Sequence, residues 1–266
     1  MTQNDNDQLI IEEKDHIATF TIDNPAKRNA LTPGILGTLE MELKRLSNAS
    51  DIRCVIIRGS GDEIFSSGYD ISALSSEQRT RPLIRTPDEV TSAFKAVKEF
   101  PYPVIAMLNG NAIGGGFNLC ACCDIRIARE GISLGMTAAR LGVGYDPDGI
   151  RQFIEAFGIA RTKEIFYTAN IFKGETLLSK GLVDYLVKKD ELEDCVREFG
   201  RKITQNAPLT LKSVKKTISM FENIRALSRK DMEKANESMQ RCYLSEDLVE
   251  GQNAFREKRV PEFKGR

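Results

Sequence analysis

Tryptophan is absent from the 266 residues, and histidine occurs once, at position 16. A single histidine excludes most imidazole chemistry, because a Ser-His-Asp or Cys-His site would have to recruit His16, just ahead of the alternating strand "IATFTI". An excess of charge is missing too, since 38 basic residues face 38 acidic ones. No global field therefore favours nucleic acid or a membrane surface. The local clusters "LKSVKKT" and "FREKRVPEFKGR" read as a solvated helix face and a tail. No run approaches the roughly 18 apolar residues of a membrane span, and the opening "MTQNDNDQ" is polar where a signal peptide is apolar. The expected compartment is the cytoplasm. Six cysteines are present, Cys54, Cys120, Cys122, Cys123, Cys195 and Cys242, without a secreted disulfide layout. Cys120 and Cys123 form a C-x-x-C with no second pair and no nearby histidine. A helix carrying small buried cysteines is the reading there, and no metal site is expected.

What is present suffices for a full core, with 41% hydrophobic residues. "LIIEE" and "HIATFTID" flank Lys14 and Asp15 as a hairpin would. Thr32-Pro33 then opens a helix with Ile35, Leu36, Leu39, Leu43 and Leu46 on one face. "CVIIRG" and "YPVIAMLNG" read as buried strands, "DIRIA" as a further strand, and the polar "SSEQRTRPLIRTPDEV" as a mobile loop ending in a helix start at Thr86-Pro87. From about residue 190 the pattern turns helical: "DELEDCVREFGRKITQ", "PLTLKSVKKTISMFEN", then one long run from Ser228 to about Arg259. In that run Met232, Ala235, Met239, Tyr243 and Leu244 stand at helical spacing, as a core face or a subunit contact. The chain reads as one domain with a helical C-terminal extension.

The stretch "NGNAIGGGFNLCACCD" places three glycines between a strand and a helix. N–H groups at a helix start lack intrahelical partners and sit at the positive end of the dipole, so glycines there let an anionic oxygen approach. No Lys-Ser/Thr follows as in a P-loop, and the spacing does not match the dinucleotide fingerprint. An oxyanion hole remains, which needs a second donor. "IFSSGYDISAL", with Gly68 at a tight turn after another strand, is the candidate source.

"FSSGYDI" followed by "NGNAIGGGFNLCACCDIRIA" resembles the crotonase family, the enoyl-CoA hydratase/isomerase superfamily. "NPAKRNALT", "GLVDYLV" and "EGQNAFREKRVPEFKG" match further family segments in order, so the resemblance covers nearly the whole chain. It implies an α/β fold, a spiral of ββα units over residues 1–190 holding a CoA pocket, and a C-terminal α-helical region, 191–266, that builds a trimer or a dimer of trimers. It implies an acyl-CoA thioester as substrate, with coenzyme A part of that substrate and no separate cofactor. The implied oxyanion donors are the N–H groups of Tyr69 and Gly115. Ser66, Gly68, Asp70, Ile71 and Gly114 are the implied binding positions around them. Lys27, Arg28, Phe255 and Lys258 match the family's CoA contacts, the last two reaching a neighbouring subunit.

Departures from the hydratase pattern narrow the chemistry. The family's two catalytic glutamates fall on Asn118 and Ala138, so nothing there activates water. Asp146, in "LGVGYDPDGI", resembles by position the proton-shuttling aspartate of dienoyl-CoA isomerases, and it is equally a good helix N-cap ahead of Pro147. Tyr145 resembles the tyrosine of methylmalonyl-CoA decarboxylases, or is a pocket-lining aromatic. Arg140 is either a bidentate clamp for a substrate carboxylate or a surface arginine. Asn118 either orients a water or acyl group or caps local backbone. The leading expectation is enolate chemistry with Asp146 transferring a proton, in isomerisation or in a hydration that does without the usual glutamates. Decarboxylation of a malonyl-type CoA is the first rival. The second is a catalytically inactive binding protein with "LKSVKKT" as an RNA patch, against which the neutral overall charge argues.

Overall fold

The computed structural model describes residues 7–49, 51–69, 88–223 and 228–265. Asp70, Ile71, the Thr86-Pro87 helix start and most of the expected loop lie outside these residues. Strands β1 (Gln8–Lys14) and β2 (Ile17–Asp23) pair antiparallel with Lys14 opposite Ile17. Their two-residue turn is therefore Asp15-His16, one position later than the sequence suggests. Both residues are left-handed, with φ of 52° and 65°, the backbone twist that suits a two-residue hairpin. His16 is used here: its Nδ1 lies 3.0 Å from Asp51 O.

Three successive strand pairs then build two sheets. The first member of each, β3 (Cys54–Gly59), β5 (Val104–Leu108) and β7 (Ile125–Arg129), joins a six-stranded sheet in the order β1-β2-β3-β5-β7-β10, closed by β10 (Tyr185–Val187). The second member, β4 (Ile64–Ser66), β6 (Asn111–Ile113) and β8 (Ser133–Gly135), joins a four-stranded sheet with β9 (Ile171–Lys173). Helices return the chain: α1 (Pro33–Ala49), α2 (Asp88–Glu99), α3 (Gly115–Cys122), α4 (Pro147–Thr168) and the short α5 (Glu175–Ser179). The repeated strand-strand-helix step is the expected spiral of ββα units.

Both faces of the large sheet are covered, which is why its parallel strands read as continuous apolar runs. Val104, Ala106 and Leu108 join the core that holds the α1 stripe of Ile35, Leu36, Leu39, Leu43 and Leu46. Ile105 and Met107 point the other way, to Leu192 and Val196 of α6 (Leu192–Thr204). Thr32 caps α1 by accepting from Ile35 N–H at 3.3 Å. Beyond α6 come α7 (Pro208–Asn223), α8 (Arg229–Tyr243) and α9 (Glu246–Glu257). The expected run from Ser228 to Arg259 is thus two helices. Ser245 begins the second, its Oγ accepting from Leu248 N–H at 3.2 Å, and such a cap competes with helix continuation. Of the proposed core face, Met239 is buried and Leu244 is exposed.

Candidate active site

The turn after β4 and the start of α3 meet edge to edge. Gly68 has φ +95°, which side chains resist, and a Cβ there would lie 2.8 Å from Gly115 N. Gly114 has φ 55° and ψ −121° at the head of α3, again a backbone state that glycine takes most readily. A Cβ on Gly115 would stand 3.1 Å from Tyr69 N. Two backbone nitrogens from different strand-to-helix connections are thereby held side by side, and the first N–H of a helix has no partner within it. Ser66 secures the turn from below: it is fully buried, and its Oγ accepts from Gly68 N–H at 3.1 Å.

Tyr69 and Gly115 line a cavity of about 180 Å³, together with Gly114, Asn118, Ala138, Tyr145, Asp146 and Gln152. Met136, Phe94 and Val143 supply apolar wall. Among the described residues lining it there is no lysine, arginine or histidine. A polar chain crosses this space. Tyr145 O–H donates to Asn118 Oδ1 at 2.7 Å, and Asn118 Nδ2 donates to Gln152 Oε1 at 2.6 Å. The chain exists because residue 149 has no side chain: a Cβ there would fall 2.5 Å from Tyr145 Cε1 and 2.9 Å from Asn118 Oδ1. The Tyr145 ring is held edge-on by Phe166, with centroids 5.1 Å apart. Burial pushes its phenol well above the usual tyrosine range, and the Cys122 sulfur and Asp146 add to the effect, so the hydroxyl stays protonated.

A family model described as enoyl-CoA hydratase/isomerase matches residues 12–266. The chain belongs to that family. It is 32% identical over 250 residues to the methylmalonyl-CoA decarboxylase of Escherichia coli strain K12, covering 94% of this chain and 95% of that one. It is 30% identical over 259 residues to the short-chain-enoyl-CoA hydratase of Clostridium acetobutylicum, covering 97% and 98%. Among solved structures, methylmalonyl-CoA decarboxylase complexed with 2S-carboxypropyl CoA superposes with a TM-score of 0.89 at 29% identity, covering all of both chains.

Within this enoyl-CoA hydratase/isomerase scaffold, the positions of the missing glutamates, Asn118 and Ala138, both face the cavity. Asp146 is the N-cap of α4: its Oδ1 accepts from Asp148 N–H at 2.8 Å and Gly149 N–H at 3.3 Å while the residue also lines the cavity. Arg140 does not join this group. It is exposed on the short turn of Ala138–Leu141, outside the lining. Lys27 and Arg28 are exposed, but their backbone binds the turn: Ser67 N–H donates to Arg28 O at 3.1 Å and Ser67 Oγ to Lys27 O at 3.2 Å. Phe255 and Lys258 are exposed on and just after α9, away from the lining.

Tyr243 and Gln152 are among the lining residues that went unread as site residues. Tyr243, expected on a helical core face, reaches the cavity from the end of α8, and burial with Asp146 nearby pushes its phenol up to about 12. Gln152, between Arg151 and Phe153, looks in sequence like any solvated helix residue. Its partner spacing to Asn118 is tertiary, so no local pattern exposes it. The C-x-x-C thiols are occupied otherwise: Cys120 Sγ donates to Gly116 O within α3, and Cys123 Sγ, at the residue that ends the helix, donates to Leu119 O.

Proposed function

We propose that the chain decarboxylates a short malonyl-type acyl-CoA thioester. The observation that carries this reading is the neutral Tyr145–Asn118–Gln152 chain, whose Asn118 stands where the resemblance puts one of the two hydratase glutamates. Breaking the bond between Cα and a free carboxylate generates the thioester enolate without a general base. The electron pair of that bond flows into the thioester, carbon dioxide leaves, and a proton from water completes the product at Cα. Tyr69 N–H and Gly115 N–H would hold the thioester oxygen as its charge develops, the step for which donors fixed in advance are most effective. Among the described residues the lining carries no lysine or arginine, which suits the same chemistry, since such a residue would stabilise the reactant carboxylate more than the departing neutral product. The identity to the Escherichia coli decarboxylase and the similarity to the complexed decarboxylase structure support the choice. Lys27 and Arg28, next to the turn, are assigned to the CoA phosphates, and Phe255 and Lys258 to a neighbouring subunit's CoA.

Proton transfer by Asp146, the basis of isomerisation or hydration, is the second reading, favoured by its place in the cavity wall. It ranks lower because capping already engages Oδ1. An RNA-binding role has less support: of the three lysines in "LKSVKKT", Lys215 pairs with Asp124 at 2.6 Å and Lys212 lies over the Tyr102 ring at 4.8 Å, leaving Lys216 exposed. Carbon dioxide release from methylmalonyl-CoA tests the proposal directly, and its absence with malonyl- and methylmalonyl-CoA would sink it.

A further inference from the structure

Gln152 is a buried polar side chain, 5% exposed, in the wall of the cavity. Its orientation follows from the hydrogen bonds that end on it. An amide accepts at one end and donates at the other, so a chain of amides carries a direction. Tyr145 O–H gives its proton to Asn118 Oδ1, which turns Asn118 Nδ2 toward Gln152 and commits Gln152 Oε1 as acceptor. Nε2 is the end left over. It has no hydrogen-bond partner among the described residues. Among the described residues the fully enclosed unpartnered side-chain atoms are Arg126 Nε and Arg161 Nε, so Gln152 Nε2 keeps some exposed surface on a residue that lines the cavity. A donor in so apolar a wall is costly unless a ligand or water takes its proton.

We propose that Gln152 Nε2 recognises the free carboxylate of the acyl group, which makes Gln152 the residue selecting carboxylated over uncarboxylated short acyl-CoA thioesters. This rests on the decarboxylase reading for the acyl group's identity. A neutral amide suits that role, because it orients the carboxylate by a hydrogen bond without the strong ground-state ion pair that an arginine would form. The donor is also built to stay aimed, since its own carbonyl is fixed by Asn118 and Asn118 by Tyr145.

The test compares binding of two unreactive thioethers, carboxypropyl-CoA and propyl-CoA, by calorimetry. Wild-type protein should bind the carboxylated thioether more tightly. Gln152→Glu keeps an acceptor toward Asn118, hence the inner chain, but replaces the donor with a second acceptor. The affinity ratio of carboxylated to plain thioether should then fall about tenfold or more, as expected for losing a hydrogen bond to a charged group, while propyl-CoA affinity stays within about threefold. Gln152→Met, of similar length and without charge, should lower the same ratio, and it decides the matter if the glutamate variant does not fold. Melting curves establish folding for both. An unchanged ratio, or equal losses for both thioethers, would overturn the proposal. Failure of the wild-type enzyme to release carbon dioxide would instead remove the decarboxylase reading and leave the binding ratio readable.

Discussion

At Gly115 an added methyl group would stand 3.1 Å from the Tyr69 nitrogen, against the donor that the proposed thioester oxygen needs. Gly115 opens a helix, where alanine is welcome, so Gly115→Ala should fold with a stability change of no more than about 1 kcal/mol. Its kcat should nevertheless fall by roughly 10² to 10³, the usual cost of one lost oxyanion donor. Steady-state kinetics beside a thermal melt separates the two effects, and a full-speed variant would remove Gly115 from the site. The sequence pointed to this pair through the glycines between strand and helix together with the family resemblance, and the structure sets the two nitrogens close together. Tyr145 was legible as a candidate from its place in "LGVGYDPDGI". Its bond to Asn118 was not, since it depends on the missing side chain at Gly149 and on a contact between α3 and α4. Gln152 gave no signal for the same reason. For Arg140 the sequence left a carboxylate clamp and a surface arginine open, and the exposed turn places it outside the described lining.

The start of α4 joins a helix cap to the cavity wall. Asp146 Oδ1 accepts from two backbone N–H groups, and Asn caps about as well as Asp, while Ala costs about 1 kcal/mol. Asp146→Asn should therefore keep the melting temperature near wild type and, under the decarboxylase account, retain most turnover. Asp146→Ala should lower stability by about 1 kcal/mol. Loss of turnover in Asp146→Asn with an unchanged melt would restore the proton-transfer reading. Most elements could be read from periodicity and caps: the α1 stripe, the buried parallel strands, the first turn of α1. The single C-terminal run was misread because Met232 to Leu244 and the following residues keep helical spacing across the break, and spacing alone does not register Ser245 as a cap.

Across the whole molecule, the large sheet is enclosed on both faces by the helices named above, whereas α7 leaves apolar side chains in the open. Val214, Ile218 and Phe221 are 52%, 55% and 69% exposed and follow one another at intervals of one helical turn. Such a face is an association surface or a liability. The trimer that the family resemblance implies would cover this face, and would also bring Phe255 and Lys258 near a neighbouring cavity. Light scattering after size-exclusion chromatography should give a trimer or hexamer, and Phe221→Lys with Ile218→Lys should shift it toward monomer; a monomeric wild-type chain would contradict this assembly. The central claim is the reaction. Methylmalonyl-CoA incubated with the protein in heavy water should lose carbon dioxide and yield propionyl-CoA carrying one deuterium at Cα by mass spectrometry. Intact methylmalonyl-CoA, alongside water addition or deuterium exchange in an enoyl-CoA that disappears in Asp146→Asn, would contradict the account and pass the chemistry to Asp146.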